Sequence, residues 1–156
     1  MVSEQRISAG AIVIQNETIL LVRYRKETGE NYLVSPGGGV LNEEGVIERI
    51  DEAAVRETRE ETGLEVIPSR ILFVEDLLYK QYRITKIWFL CNVVGECLER
   101  TQGAIDERIV EANWYHREQL NNETVYPSIL VQEDWNNFLN HHWETRYLGL
   151  SKVRMG

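Results

Sequence analysis

The sequence predicts an α/β (α+β) sandwich, a mixed central β-sheet between helices, and three observations carry that prediction. Apolar, β-branched runs recur on both sides of one helix-patterned segment. A second helix-patterned segment lies towards the end of the chain, so strands are mixed with two helices that can layer against them. Hydrophobic residues make up 43% of 156, enough for a core of ordinary size. No repeat, low-complexity tract or linker rich in Pro, Gly and Ser divides the chain, and residues 1–156 read as one domain.

In chain order, SAGAIVIQNETILLVRYR holds two apolar runs around Gln15-Asn16-Glu17, the pattern of two strands joined by a tight turn. YLVSPGGGV is a short strand broken by Pro36 and three glycines. From about Val46 to Thr62 the pattern becomes helical, and Gly63 stands where a left-handed cap is expected. LEVIPSRILFVEDLLY and YRITKIWFLCNVVG are β-rich and predicted to pair. A looser stretch, ECLERTQGAIDERIVEA, leads to a strand-like NWYH. From about Pro127 to His141, Ile129, Leu130, Trp135, Phe138 and Leu139 fall at helical spacing.

Charge and composition exclude several functions. A net charge of −8 argues against binding of polymeric nucleic acid, which draws on basic surface to displace phosphate counterions. No run of eighteen apolar residues exists and MVSEQRIS lacks the basic-then-apolar build of a secretory signal, so a soluble, cytoplasmic protein without a membrane partner is expected. Cys91 and Cys97 show no metal-ligand pattern; Cys91, inside a predicted strand, reads as a small core residue. His116, His141 and His142 form no ligand set.

The segment VRETREETG carries the chemistry. With successive residues about 100° apart around a helix, Ile50, Ala53, Ala54, Glu60 and Glu61 fall within roughly 60° of Glu57. The face that begins by packing on the core therefore ends in acid, which places three carboxylates towards a cleft. Glu48, Arg49, Glu52, Arg56 and Arg59 occupy the opposite, solvated face, where Glu52 to Arg56 is the favourable i,i+4 order. Two unit charges about 5 Å apart at an effective dielectric near 20 repel by roughly 3 kcal/mol. Either such carboxylates rise in pKa and protonate, or a cation joins them. Oxygen ligands without His or Cys favour Mg²⁺ or Mn²⁺. The alternative is a glutamate-rich helix facing solvent.

Glu48, seven residues, Arg56-Glu57, two residues, Glu60-Glu61, one residue and Gly63-Leu64 resemble the Nudix box. The family's pattern runs Gly, five residues, Glu, seven residues, Arg-Glu, an aliphatic, any residue, Glu-Glu, any residue, Gly and an aliphatic. The likeness extends to the preceding strand pair, to Ser35-Pro36-Gly37-Gly38, and to the sheet and final helix beyond the box. Two positions depart from it. Gly38 stands ten residues before Glu48 where the family has six, so LNEEGVI holds about four inserted residues, including Glu43 and Glu44, read here as solvated loop acids. The aliphatic slot is Thr58, whose methyl can pack while its hydroxyl bonds to the preceding turn.

What the resemblance implies is the Nudix fold and a Mg²⁺-dependent hydrolysis of a phosphoanhydride bond in a nucleoside diphosphate linked to a group X. By the family's pattern Glu57, Glu60 and Glu61 are metal ligands, with one of them or a loop carboxylate as general base. Arg56 would orient a glutamate or pair with Glu52, and Glu48 would be accessory. Gly37, Gly38 and Gly39 would let backbone come close to the metal site, or form an ordinary turn. A further acid is expected from the loop before the last strand, with Glu107 the first candidate and Asp106 and Glu111 its competitors. Arg23 and Arg25 share one side of their strand near the Gly-rich segment and would bind phosphate or lie on plain surface. Tyr79, Tyr82 and Trp88 would stack on a base or serve the core.

Substrate hints of the family are thin here. A proline about sixteen residues past the box goes with ADP-ribose and a tyrosine slightly further with dinucleoside polyphosphates; Lys80 stands at sixteen past Leu64 and Tyr82 at eighteen. The expected partner is a small-molecule nucleotide, and homodimers are common in the family. The rival reading is a catalytically inactive Nudix-fold module that binds a nucleotide or a protein.

Overall fold

The structure, a computed structural model, describes residues 4–95 and 102–152, and of Gln102 and Asp106 the backbone alone. Cys97 lies outside the described residues. The elements run β1 (Glu4–Gln15), β2 (Thr18–Arg25), β3 (Asn31–Val34), β4 (Gly37–Gly39), β5 (Asn42–Glu43), β6 (Val46–Ile47), α1 (Ile50–Thr62), β7 (Glu65–Tyr79), β8 (Tyr82–Gly95), α2 (Gln102–Asp106), β9 (Ile109–His116), β10 (Val125–Tyr126), α3 (Trp135–Leu139) and β11 (Arg146–Lys152).

These strands build a curled mixed sheet in the order β10-β3-β2-β1-β8-β7-β11, with β4 also on β1 and β9 also on β2. The expected hairpins form. Asn16 and Glu17 both take left-handed φ values, 51° and 62°, which matches the twist of a two-residue hairpin and pairs Ile14 with Ile19. β7 and β8 pair antiparallel over their length, and β8 lies parallel to β1, which makes the sheet mixed.

Alternation along the central strands sends successive side chains to opposite faces. Ala9, Ala11 and Val13 of β1 and Phe89 and Cys91 of β8 pack with Ala53 and Ala54 of α1. Ile12 of β1 and Trp88 and Leu90 of β8 pack instead with Ile129, Leu130, Trp135 and Phe138. The sheet is therefore a filling between helical layers, as the periodicities implied. Among the described residues no helix is long and apolar enough to cross a membrane.

Several elements differ from expectation, among them α2 and the start of β9 at Ile109, both within the stretch read as loose. The helix starts at Ile50, not Val46: Val46 and Ile47 turn back at Gly45 (φ 83°) and pair with Asn42 and Glu43 in a small hairpin. Both are β-branched and exposed, so local turn chemistry outweighs the helical spacing that continues into them. The segment from Pro127 to His141 is not one helix but a 3₁₀ turn over Ser128–Val131 followed by the short α3. Asp134 restarts the helix by accepting a hydrogen bond from Asn136 N at 2.9 Å, and Leu139 stays exposed while Ile129, Leu130, Trp135 and Phe138 are buried. β11, parallel to β7, was not foreseen: an irregularity between Tyr147 and Leu150, with Gly149 at φ 88°, breaks its alternation.

Candidate active site

The last two turns of α1 bring the acids to the sheet. Gly63 closes the helix in the left-handed region (φ 80°), its N–H bonded to Arg59 O. Thr58, at the aliphatic slot, is fully buried and its hydroxyl donates to Ala54 O at 2.7 Å, so the departure from the family's pattern is absorbed within the helix. One turn on, Glu57 and Glu61 are only 6% and 3% exposed, which carboxylates tolerate when something compensates them.

For Glu57 the compensation is partial. Arg56 donates to its Oε1 at 3.0 Å, but Oε2 is buried without a hydrogen-bond partner. One carboxylate oxygen each from Glu57, Glu60 and Glu107 lie within 4.8 Å of one another, the spacing of a shared cation. Glu107 reaches this point because α2 and the turn after it fold beside α1, with Glu107 N bonded to Gly103 O. Burial, then the charges of Glu107 and Glu60, push the Glu57 pKa up, against the pull of Arg56. A divalent ion fits this set: hard oxygens, like charges and one buried acceptor without a partner.

Arg56 organises the acids. Its guanidinium spans Glu48 Oε2 at 2.7 Å, Glu57 and Glu60 at 3.0 Å each, and the carbonyl of Gly39 at 3.0 Å. It turns towards the site, not to Glu52 on the solvated face as helix spacing suggests, because three acids and a carbonyl outbid one exposed partner. Glu48, whose pKa the Arg56 hydrogen bonds hold down, also accepts from Leu41 N. Glu48 N in turn bonds Leu41 O at 3.0 Å, so the base of the inserted hairpin is pinched shut and the insertion bulges outward. Glu48 thus keeps its place beside the box despite the extra residues. Glu43 and Glu44 are exposed on the hairpin, as expected.

The glycine strand approaches from below. β4 pairs with β1, and a Cβ on Gly38 would stand 2.5 Å from Glu57 Cδ, a distance no side chain survives. Gly37 N donates to both oxygens of Glu61, at 3.3 and 3.2 Å.

Glu61 does not join the group of three. It points to Gly37 and to Lys86, and burial, then Glu57 and Glu107, drive its pKa well up while Lys86 opposes them. Lys86, missed from the sequence, is a second cation of the site beside Arg56: burial lowers its pKa, and Glu61, Glu57 and Glu75 raise it. The signal was present, since Lys86 shares its parity on β8 with the buried Trp88 and Leu90 and so had to point inward. A cavity of about 410 Å³ opens here, lined by Tyr24, Tyr32, Gly37, Glu61, Lys86 and Glu107.

Other candidates fall elsewhere. Val22 and Tyr24 line this cavity, so Arg23 points to the other face of β2, where it bonds Glu123 at 2.9 Å and Asn31 at 2.6 Å. Glu111 lies opposite it, 4.0 Å away. Arg25 is exposed at the end of the strand. The side chain of Asp106 lies outside the described residues. Trp88 is in the core with its indole N–H on Glu75, Tyr82 is covered by Arg6, and Tyr79 stands at the β7–β8 turn near Lys80.

Comparison with known proteins agrees with the geometry. The family model for the NUDIX domain matches residues 4–134. Among similar solved structures, an ADP-ribose pyrophosphatase from Streptococcus suis aligns at 21% identity and TM-score 0.66, covering 91% of this chain and 98% of its own. A MutT NUDIX hydrolase from Burkholderia pseudomallei aligns at 22% identity and TM-score 0.65, covering 82% and 96%. A MutT protein from Methanosarcina mazei Go1 aligns at 23% identity and TM-score 0.64, covering 83% and 91%.

Proposed function

From the premise that this chain belongs to the Nudix family, we propose that it hydrolyses a phosphoanhydride bond in a nucleoside diphosphate linked to a further group, with Mg²⁺ or Mn²⁺ as cofactor. The observation that carries this reading is the buried Glu57 Oε2 with no hydrogen-bond partner, set among the oxygens of Glu60 and Glu107. An inert structural helix has no reason to bury an acceptor in that state.

Glu57, Glu60 and Glu107 hold the divalent ion, and Glu61 stands by as the fourth carboxylate. Bound there, such an ion would supply charge neutralisation for the phosphate oxygens and acidity for an attacking water. The chain supplies the rest. Arg56 fixes Glu57 and Glu60 in one orientation, and Glu48 fixes Arg56. Gly38 lets the β4 backbone sit against the Glu57 carboxylate, where a substrate phosphate can approach the metal ligands without a side chain in the way. Lys86 adds a positive charge on the cavity wall that a pyrophosphate needs on a chain of net charge −8. Arg23 is committed to Glu123 and takes no phosphate in this reading, and Arg25, which shares its side of β2, faces away from the cavity too.

The test is a panel of nucleoside diphosphate-linked compounds, including ADP-ribose, dinucleoside polyphosphates and nucleotide sugars, incubated with and without Mg²⁺ and resolved by chromatography. Mg²⁺-dependent release of a nucleoside monophosphate or of phosphate is expected for at least one compound. Binding without turnover across the panel would move the chain to the inactive-module reading.

A further inference from the structure

Behind Lys86 lies a second, more enclosed cavity of about 170 Å³, whose lining includes Glu75, Lys86, Trp88, Tyr126, Ser128 and Lys152. Val34 and Lys86 line both cavities, so the two adjoin. The smaller one is too small for a whole nucleotide, since ligand pockets start near ~300 Å³, but it suits a single ring system.

Its chemistry is specific. Glu75 Oε1 accepts the indole N–H of Trp88 at 2.9 Å, and no hydrogen bond among the described residues reaches its Oε2. Lys86 donates no hydrogen bond among the described residues either; its ammonium lies 4.7 Å from the Trp88 ring centroid, facing Glu75 on one side and Glu61 on the other. Trp88 and Tyr126 supply aromatic wall. Burial pushes the Glu75 pKa up, and Trp88 and Lys86 pull it back. A carboxylate held by one indole and one ammonium is an acceptor with capacity left over.

Resting on the pyrophosphohydrolase reading above, we propose that Glu75 is a specificity-determining residue: it accepts hydrogen bonds from the nucleobase of the substrate and selects a base with two adjacent N–H donors, as on the amide-amino edge of guanine. Three features favour this over other occupants. Trp88 and Tyr126 present aromatic faces on which a base stacks and a second phosphate does not. Glu75, while ionised, offers acceptors alone, so a base edge that turns acceptors to it leaves them unpaired at a cost in binding. Lys86, at the mouth shared with the carboxylate cavity, meets the phosphate-bearing end of the same ligand.

The experiment is calorimetric binding of the α,β-methylene diphosphates of guanosine, inosine, adenosine and uridine to the full chain in Mg²⁺, for wild type and Glu75→Gln. The guanosine compound is expected to bind wild type at least about tenfold tighter than the inosine compound, which lacks the amino group. Glu75→Gln is expected to reduce that ratio to below about threefold, chiefly by weakening the guanosine compound. Equal binding of all four to wild type, no binding of any, or an undiminished guanosine preference in Glu75→Gln overturns the inference; the wild-type comparison needs no variant to fold. Turnover in the NDP-X panel is scored separately: base-blind hydrolysis sinks the role of Glu75 and leaves the enzyme reading standing, whereas guanosine-selective binding without turnover of any compound does the reverse.

Discussion

The two helical layers on either side of the sheet bury side chains to a similar degree and to opposite ends. In the C-terminal layer, Phe138 packs edge-on against Phe73 and Trp143 with ring centroids 5.6 and 5.0 Å apart. The indole N–H groups of Trp135 and Trp143 each reach a backbone carbonyl, at 2.8 and 2.9 Å, and Arg70 caps the carbonyls that end α3. At the C-terminal end of α1, by contrast, two glutamates are buried and one of their oxygens has no partner. The C-terminal layer pairs its indoles and its rings, leaves one nitrogen of Arg70, Nε, buried without a partner among the described residues, and stabilises the fold. The other leaves acid unsatisfied, and a protein keeps such a region when binding something there matters more than local stability.

Substitutions in the two layers are therefore expected to separate activity from stability. The largest effect belongs to the acids: Glu60→Gln or Glu57→Gln is expected to lower kcat/KM by about 10³-fold, ~4 kcal/mol at the transition state, with an unchanged circular dichroism spectrum. Wild-type rates in either variant would remove the site from the chemistry. Phe138→Ala is the mirror experiment. It is expected to destabilise the fold by about 3–5 kcal/mol, read as a fall in Tm of roughly 10 °C or more, while kcat measured well below that Tm stays within about twofold of wild type. A loss of kcat at full folding would show that the two layers are not separable. Between them stands Gly38→Ala. A methyl 2.5 Å from Glu57 Cδ must displace the carboxylate, so the Mg²⁺ concentration for half-maximal activity is expected to rise about tenfold or more, with kcat at saturating Mg²⁺ less affected.

The layers also differ in how far they could be read from sequence. The α1 side was legible because its information is local: the helical spacing of Ala53, Ala54, Glu57, Glu60 and Glu61 set the inward face, and Gly63 set its end. What was lost there depended on contacts between distant segments. Arg56 looked solvated from its helix position, yet Glu48 and Gly39, brought in by the pinched hairpin, turn it towards the acids. Glu107 could be named but not placed, since only the packing of α2 on α1 sets it beside Glu57. The C-terminal layer was misread as one helix because Ile129, Leu130, Trp135 and Phe138 do share a face, and the 3₁₀ turn that interrupts them preserves it. Lys86 and Glu75 were passed over as charges within apolar strands, although strand parity already placed Lys86 inside.

The smallest expected effect tests whether the acid end of α1 costs stability at all. A carboxyl whose folded pKa lies above its unfolded value, near ~4.3 for Glu, destabilises the fold while ionised and ceases to do so once protonated. Glu57, Glu61 and Glu75 are all shifted that way. Their penalty is present at pH 8 and is relieved as the pH falls through their folded values towards that unfolded one. Glu48, Asp51, Glu65 and Asp76 are shifted down, so the stability they contribute is lost only below about pH 4. Lys86, shifted down, has the opposite sign to the raised acids, and its penalty is relieved only as pH rises from its lowered value towards ~10.4. The metal-free Tm is therefore expected to rise from pH 8 towards pH 5, and Mg²⁺ to flatten that rise by stabilising the ionised form at the upper end. Glu57→Gln removes one buried charge and is expected to raise the metal-free Tm at pH 8 by a few degrees, about 1 kcal/mol, in the same variant that loses turnover. A metal-free Tm that falls steadily from pH 8 to pH 5, or a Glu57→Gln variant less stable than wild type, would mean that α1 buries its acids at no cost, and the contrast between the layers would lose its physical basis.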